Sequence, residues 1–115
     1  MRDWDDACAT ALALPGVAMD PYYGVPVPKV AGKPILAPGR EAGSFVLMVS
    51  SVEKQVLMAT DPDTFWQTPH YDGYAAVLVR YGTPARDRIV AYIERSWWDR
   101  ATPALRAQRG DGQRP

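Results

Sequence analysis

The residues that could carry out chemistry are few, and most of them lie in one stretch, residues 65–81. His70 is the only histidine of the chain, and Tyr71 and Asp72 follow it directly. A catalytic histidine needs an orienting partner and a nucleophile, and the single cysteine, Cys8, is distant in the sequence with no sign of activation. The sequence therefore predicts a non-enzymatic protein in which His70 belongs to an aromatic cluster.

Metal and cofactor chemistry has no better support in the sequence. One histidine and one cysteine at unrelated positions fit no zinc-ligand spacing, and no glycine-rich phosphate-binding loop is present. Cys8 cannot form an internal disulfide and is interpreted as a small apolar residue on a helix. We therefore expect no cofactor and no metal.

Four basic residues form the best candidate for a DNA-binding surface. Lys29, Lys33 and Arg40 lie around a predicted first hairpin. Glu41 is the only acidic residue near them, and Arg80 can join them from the last strand. Because 13 lysines and arginines are balanced by 13 aspartates and glutamates, the chain has no global basic field for phosphates. Contact with double-stranded DNA would then depend on phosphates and show little sequence preference.

Aromatic side chains support a different function, that of a protein- or peptide-binding adaptor. His70, Tyr71 and Tyr74 are close in the sequence and could form part of a binding surface. Trp97 and Trp98 are neighbours on a predicted helix and cannot both face one core, so Trp98 is expected to be partly exposed. Exposed aromatic residues are enriched at binding surfaces, and such a module could act as a dimer.

The elements that must position these residues begin with a helix capped by Asp3 and extending over residues 3–14. Two strands, residues 22–31 and 33–37, are predicted to join tightly at Ala31-Gly32. Pro26 and Pro28 lie two residues apart and lack N–H groups on the same side of the first of these strands. We therefore expect that strand to be a sheet edge.

The middle of the chain predicts a central strand followed by a helix. Residues 44–49 are apolar without clear alternation, as expected for a strand covered on both faces. Ser50 and Glu53 have the spacing of a capping box and predict a helix start. The apolar side chains expected to face the core are Val52, Val56 and Ala59.

A second hairpin is predicted at Asp72-Gly73, a dipeptide typical of two-residue turns. Its first arm should end near His70, because Pro69 cannot donate to the ladder. Alternation in the second arm places its side chains on two faces. Val77, Val79 and Tyr81 are expected on one face, and Leu78 and Arg80 on the other.

A third helix is predicted to start with Thr83 as cap and Pro84 at its first position. Its buried stripe follows helical spacing. The stripe comprises Ala85, Ile89, Ile93 and Trp97. Thr102-Pro103 predicts a bend or restart.

The chain is predicted to form a single domain over residues 1–107 with a flexible C-terminal tail over residues 108–115. No apolar run approaches the length of a membrane span, and the N-terminus carries Asp3, Asp5 and Asp6 in place of a basic signal region. We therefore expect a cytoplasmic protein without a membrane partner.

The chain resembles the MmcQ/YjbR-like family over about residues 3–107. The resemblance rests on the combined order and spacing of short segments: Gly24-Val25-Pro26, Lys29-Val30-Ala31-Gly32-Lys33, Thr68-Pro69-His70, Gly73-Tyr74, Val77-Leu78-Val79 and Ser96-Trp97-Trp98. It implies a secretion-chaperone-like fold, a two-layer α+β domain of order α-β-β-β-α-β-β-α with one antiparallel sheet packed against helices. It also implies DNA binding through two wing-like hairpins. Where many members carry a His-Trp pair, this chain has Gly73-Tyr74.

Overall fold

The computed structural model describes residues 1–110 and 112–115, and it shows an α+β fold in which antiparallel sheets pack against helices. The helices are α1 (Trp4–Leu12), α2 (Ser51–Thr60), α3 (Arg86–Arg100) and α4 (Pro103–Ala107), with a 3₁₀ helix at Pro69–Tyr71. The strands are β1 (Ala18–Tyr22), β2 (Val25–Val30), β3 (Lys33–Pro34), β4 (Leu36–Pro38), β5 (Ser44–Met48), β6 (Phe65–Trp66) and β7 (Ala76–Arg80).

The strands form two sheets where one sheet was predicted. The first has the order β1-β2-β3 and the second the order β4-β5-β7-β6. All strand pairs are antiparallel. β3 and β4 are separated by Ile35 alone, so the two sheets are connected through one nearly continuous extended segment.

Pro28 explains why the chain changes sheets at Ile35. Ile35 donates its N–H to the carbonyl of Pro28 at 2.9 Å, but Pro28 has no N–H to donate in return. The carbonyl of Ile35 instead accepts from the N–H of Met48 in β5 at 3.1 Å. One residue therefore bonds to both sheets.

The prediction that residues 22–31 form a single edge strand is wrong. A turn at Tyr23-Gly24 divides this segment, and β1, which the sequence did not indicate, pairs with β2 on the side away from β3. The prolines of β2 still limit its hydrogen bonds to β3, since they have no N–H to donate. β3 accordingly pairs with β2 only at Lys29 and Val30. The tight connection at Ala31-Gly32 is confirmed.

The first two helices begin where the sequence predicts. The side chain of Asp3 accepts a hydrogen bond from the N–H of Asp6, and that of Ser50 accepts one from the N–H of Glu53 at 3.2 Å. The expected inward face of α2 is wrong, because the three apolar residues predicted to face the core are exposed. Val52 is 75% exposed and Val56 44% exposed, and Ala59 is exposed as well. The buried side chains of α2 are Lys54 and Leu57.

Residues 65–81 fold differently from the predicted two-residue hairpin. β6 and β7 do pair, but β6 ends at Trp66 and the 3₁₀ helix occupies the connection. Asp72-Gly73 forms a turn closed by the N–H of Tyr74 donating to the carbonyl of Tyr71 at 3.0 Å. With φ −60° and ψ 129° at Asp72 and φ 81° at Gly73, this is a type II turn. The first arm ends at Trp66, earlier than expected, because Pro69–Tyr71 form the 3₁₀ helix in place of an extended arm.

The third helix starts later than predicted and buries three of the four residues of the predicted stripe, whereas Ala85 lies before the helix and is half-buried. Its N-cap residue is Ala85, whose N–H donates to the hydroxyl of Thr83 at 3.4 Å. Ile89, Ile93 and Trp97 are fully buried. Burial of each is worth about 1.5–3 kcal/mol, so α3 is a principal anchor of the core.

The sheet residues alternate between two hydrophobic clusters on opposite faces. The larger cluster includes Phe45, Leu47, Val77 and Val79 together with residues of α1, α2 and α3. The smaller one contains Val27, Ala37, Val46, Tyr71, Ala76 and Leu78. The predicted alternation of β7 is thereby confirmed for its apolar residues. The helices therefore cover one face of the sheets and leave the other open.

The chain restarts as α4 after Thr102, whose hydroxyl caps the helix, as the sequence indicates. Three described residues beyond α4 contact side chains of α3: Arg109, Arg114 and Pro115. Arg109 is ion-paired with Glu94, and the Arg114 guanidinium donates to Asp99 at 2.8 Å. The predicted tail includes Asp111, which lies outside the described residues. No helix in the described part of the chain combines the length and the hydropathy needed to cross a membrane.

Candidate binding groove

The open side of the sheets carries a groove of about 900 Å³. Volumes of this size are typical of ligand sites. Its floor is apolar and formed by the strands, through Ala37, Val46, Met48 and Ala76. Its rim is aromatic and includes Tyr22, Tyr23, His70, Tyr71 and Tyr74, with Arg40 as the one residue of the lining that carries a permanent charge.

One part of the rim comes from the turn between β1 and β2. The rings of Tyr22 and Tyr23 are packed edge to face, with centroids 4.7 Å apart. Tyr23 has φ 50°, a left-handed conformation that is uncommon for a bulky side chain, and it is 91% exposed. The turn therefore places a large aromatic ring in solvent at the edge of the groove.

Another part of the rim comes from the 3₁₀ helix and the turn that follows it. The His70 ring lies edge-on to Tyr71 at 4.8 Å and to Tyr74 at 5.9 Å between centroids. Tyr71 is buried, whereas Tyr74 is 56% exposed. Three aromatic residues that the sequence singled out thus form one cluster.

Lys54 of α2 is hydrogen-bonded to the backbone of this aromatic cluster. Lys54 is only 2% exposed, and its ammonium donates to the carbonyls of Tyr71 at 2.7 Å and Tyr74 at 2.9 Å. Burial lowers the pKa of Lys54, and the nearby Asp72 carboxylate raises it in part. Because buried polar groups of this kind are costly unless bonded, Lys54 fixes the position of the turn.

Arg40 differs in its surroundings from the other cations that the sequence suggested for DNA. It is exposed at the groove and forms no ion pair or hydrogen bond with any described residue. Lys33 is likewise exposed and without such a partner among the described residues, but it does not line the groove.

The other two predicted DNA-binding residues have intramolecular partners. The Lys29 ammonium is 3.2 Å from the Asp20 carboxylate and donates to the carbonyl of Pro21 at 2.5 Å. The Arg80 guanidinium lies 3.7 Å from the centre of the Trp66 ring, a cation–π contact. The four residues therefore do not form one free basic surface.

Trp98 lies apart from the groove. It is half-buried, next to the fully buried Trp97, and the Arg106 guanidinium lies 5.1 Å from the centre of its ring. The Arg106 side chain also donates to the carbonyl of Trp98 at 2.8 Å. A small hollow of about 300 Å³ adjoins these residues.

Sequence reasoning missed two residues that line the groove and one that supports it. Tyr22, Tyr23 and Lys54 were not identified as site residues. Gly24 after two tyrosines was the available signal for a turn with aromatic side chains, since glycine permits the positive φ that such turns need. No local pattern distinguishes Lys54 from a surface lysine, because its burial depends on long-range packing.

The described residues show no arrangement suited to catalysis by the thiol or a metal. Cys8 is buried, and burial together with the Asp5 charge raises its pKa to about 11, which keeps the thiol protonated. No cluster of three or more potential metal-ligating side chains occurs in the part of the chain that the structure describes.

Comparisons of the chain with protein-family models, curated proteins and solved structures find no match. The resemblance to the MmcQ/YjbR-like family therefore stays a prediction from the sequence, and the functional conclusion below depends on the groove.

Proposed function

We propose that the protein is a non-enzymatic peptide-binding module, which takes a segment of a protein partner into the aromatic groove. The observation that carries this proposal is the convergence of Arg40, His70, Tyr71 and Tyr74 around one apolar floor. Tyrosine rings offer large contact area at low cost in conformational entropy, and they are common in sites that bind protein segments.

The packing of the rim supports this role. Lys54 restrains the Tyr71–Tyr74 turn, and the Tyr22–Tyr23 contact restrains the other turn. A site whose side chains are already ordered loses less conformational entropy on binding. The exposed faces of Tyr23 and Tyr74 remain available to a ligand.

Double-stranded DNA is the second candidate, since the family resemblance implies it and Lys33 and Arg40 have no ion pair or hydrogen bond with any described residue. Phosphate contacts would provide nearly all of its affinity. Two free cations and a net charge of zero favour it less than the groove favours a peptide.

An NMR titration separates the two candidates. We expect blocked hexapeptides with one aromatic residue each to shift the amide signals of residues that line the groove. Tyr74→Ser should weaken this binding about five- to tenfold, because an aromatic contact of about 1 kcal/mol is lost. Leu12→Ser, a change at an exposed apolar residue outside the groove, is the control and should leave affinity unchanged.

A 20-base-pair duplex at low ionic strength forms the second arm of the titration. The peptide proposal requires that the groove signals respond to peptide and not to duplex. Shifts caused by duplex alone, centred on Lys33 and Arg40, would replace it with DNA binding.

A further inference from the structure

We infer that the peptide bound in the groove carries an acidic residue beside an aromatic one, and that Arg40 pairs with its carboxylate. This inference rests on the proposed peptide-binding function and specifies the chemistry of the ligand.

Arg40 supplies an uncompensated positive charge. No aspartate or glutamate is among the residues that line the groove. Glu41, its neighbour in sequence, forms no ion pair with it; the described contact of Glu41 is a hydrogen bond from the hydroxyl of Ser44 to its backbone carbonyl at 2.6 Å. An anionic group entering the groove would therefore meet a cation with no competing partner among the described residues.

Two acidic residues near the rim, Asp20 and Asp72, do not line the groove. Asp20, beside the β1–β2 turn, is 3.2 Å from the ammonium of Lys29. The Asp72 carboxylate interacts with the buried Lys54 ammonium and offsets part of the lowering of the Lys54 pKa by burial. Arg40 is therefore the charged side chain that a ligand in the groove would contact.

The groove lining combines one cation, Arg40, with several aromatic residues, and this combination favours one class of anionic ligand over another. A nucleic acid presents a row of phosphates and needs several cations for appreciable affinity. A single carboxylate needs only one cation, and an arginine guanidinium can bind a carboxylate through two parallel hydrogen bonds. The adjacent tyrosine rings and apolar floor then suit an aromatic side chain next to that carboxylate.

Matched peptides test the inference by NMR titration. The probes are acetylated and amidated hexapeptides of sequence Gly-Ser-Phe-Glu-Ser-Gly and its counterpart with glutamine in place of glutamate. We expect the glutamate peptide to bind about two- to fivefold more tightly, the range of an exposed ion pair. Arg40→Gln should remove this difference and leave the affinity for the glutamine peptide unchanged.

Lys33→Gln is the matched control. It removes an exposed, unpaired cation of the same segment outside the groove, and it should leave both affinities unchanged. Arg40 forms no hydrogen bond or ion pair with a described residue, and an unchanged amide spectrum of Arg40→Gln verifies that the variant is folded.

The possible results are distinct. Equal affinity for the two peptides would overturn the acidic preference while leaving peptide binding in place. Binding of neither peptide, nor of any other aromatic hexapeptide, would overturn the proposed function itself. If 3-phenylpropionate binds as tightly as the glutamate peptide with the same dependence on Arg40, the ligand is a small aromatic carboxylate and the peptide assignment is wrong.

Discussion

The carboxylate of Asp6 joins the first helix to the start of the third. It accepts hydrogen bonds from the Arg86 guanidinium at 2.8 Å and from the N–H of Arg2 at 2.9 Å. These contacts, the Arg86 hydrogen bond foremost, lower the pKa of Asp6 from 3.8 to about 2. A depressed carboxyl pKa in the folded state means that the stabilisation is complete above about pH 4 and is lost as the pH falls through about 2.

Asp6→Asn should therefore lower the free energy of unfolding by about 1–2 kcal/mol at pH 7, a value reduced for solvent screening because Arg86 is half exposed. Urea unfolding at pH 7, 4 and 2.5 measures the effect. The difference between the two proteins should shrink over the lower two pH values. Asp5→Asn, in the same helix turn but exposed, is the control. A difference that stays constant down to pH 2.5 would show that the charge of Asp6 is not what stabilises the fold.

The residues of the candidate groove were only partly predictable. Arg40, His70 and Tyr74 could be named from the sequence, because charge and aromatic character are visible there. Lys54 could not, since its 2% exposure results from carbonyls supplied by residues 17 and 20 positions further along the chain. The ion pair of Lys29 with Asp20 could not be predicted either, because Asp20 lies in β1 and β1 itself was not predicted.

Among the elements, those with strong local signals were predicted best. Capping residues and the helical stripe of α3 located the helices, because both are set by neighbours in sequence. β1 has little apolar alternation, and its residues are mostly exposed, so no pattern predicted it. Tyr23-Gly24 was missed as a turn because tyrosine rarely adopts the positive φ that it has here.

The β2–β3 turn offers a test at the level of an element. Ala31 has φ 50° and Gly32 φ 77°, the signature of a type I′ turn, in which asparagine is preferred at the first position. Ala31→Asn should raise the free energy of unfolding by about 0.5–1 kcal/mol, because asparagine tolerates this conformation better than alanine does. Urea unfolding at pH 7 measures the change.

Ala42→Asn is the matched control for that turn. Ala42 is also exposed and precedes a glycine, but it does not have a positive φ. We expect a change within about 0.5 kcal/mol at this position. Equal effects of the two substitutions would mean that the backbone conformation of Ala31 is not the cause.

At the scale of the whole molecule, the main hydrophobic core and the proposed binding groove lie on opposite faces of the sheets. Their helix-covered side contains the larger cluster, with fully buried Phe45, Ile89 and Trp97. Their open side contains the smaller cluster and the groove. The α+β class and the burial of α3 could be predicted from periodicity. The open face could not be predicted, because its position depends on which side of the sheets the helices pack against.

This separation predicts opposite responses to substitutions on the two sides. Ile89→Val removes one methylene from the fully buried core and should lower the free energy of unfolding by about 0.5–1.5 kcal/mol. Its affinity for an aromatic peptide should stay as in the parent protein. Tyr74→Ser should do the reverse, with a stability change within about 0.5 kcal/mol, because its side chain is more than half exposed. Urea unfolding and peptide titration on the same samples test both expectations, and a loss of affinity in Ile89→Val proportional to its loss of stability would show that groove and core are one coupled unit.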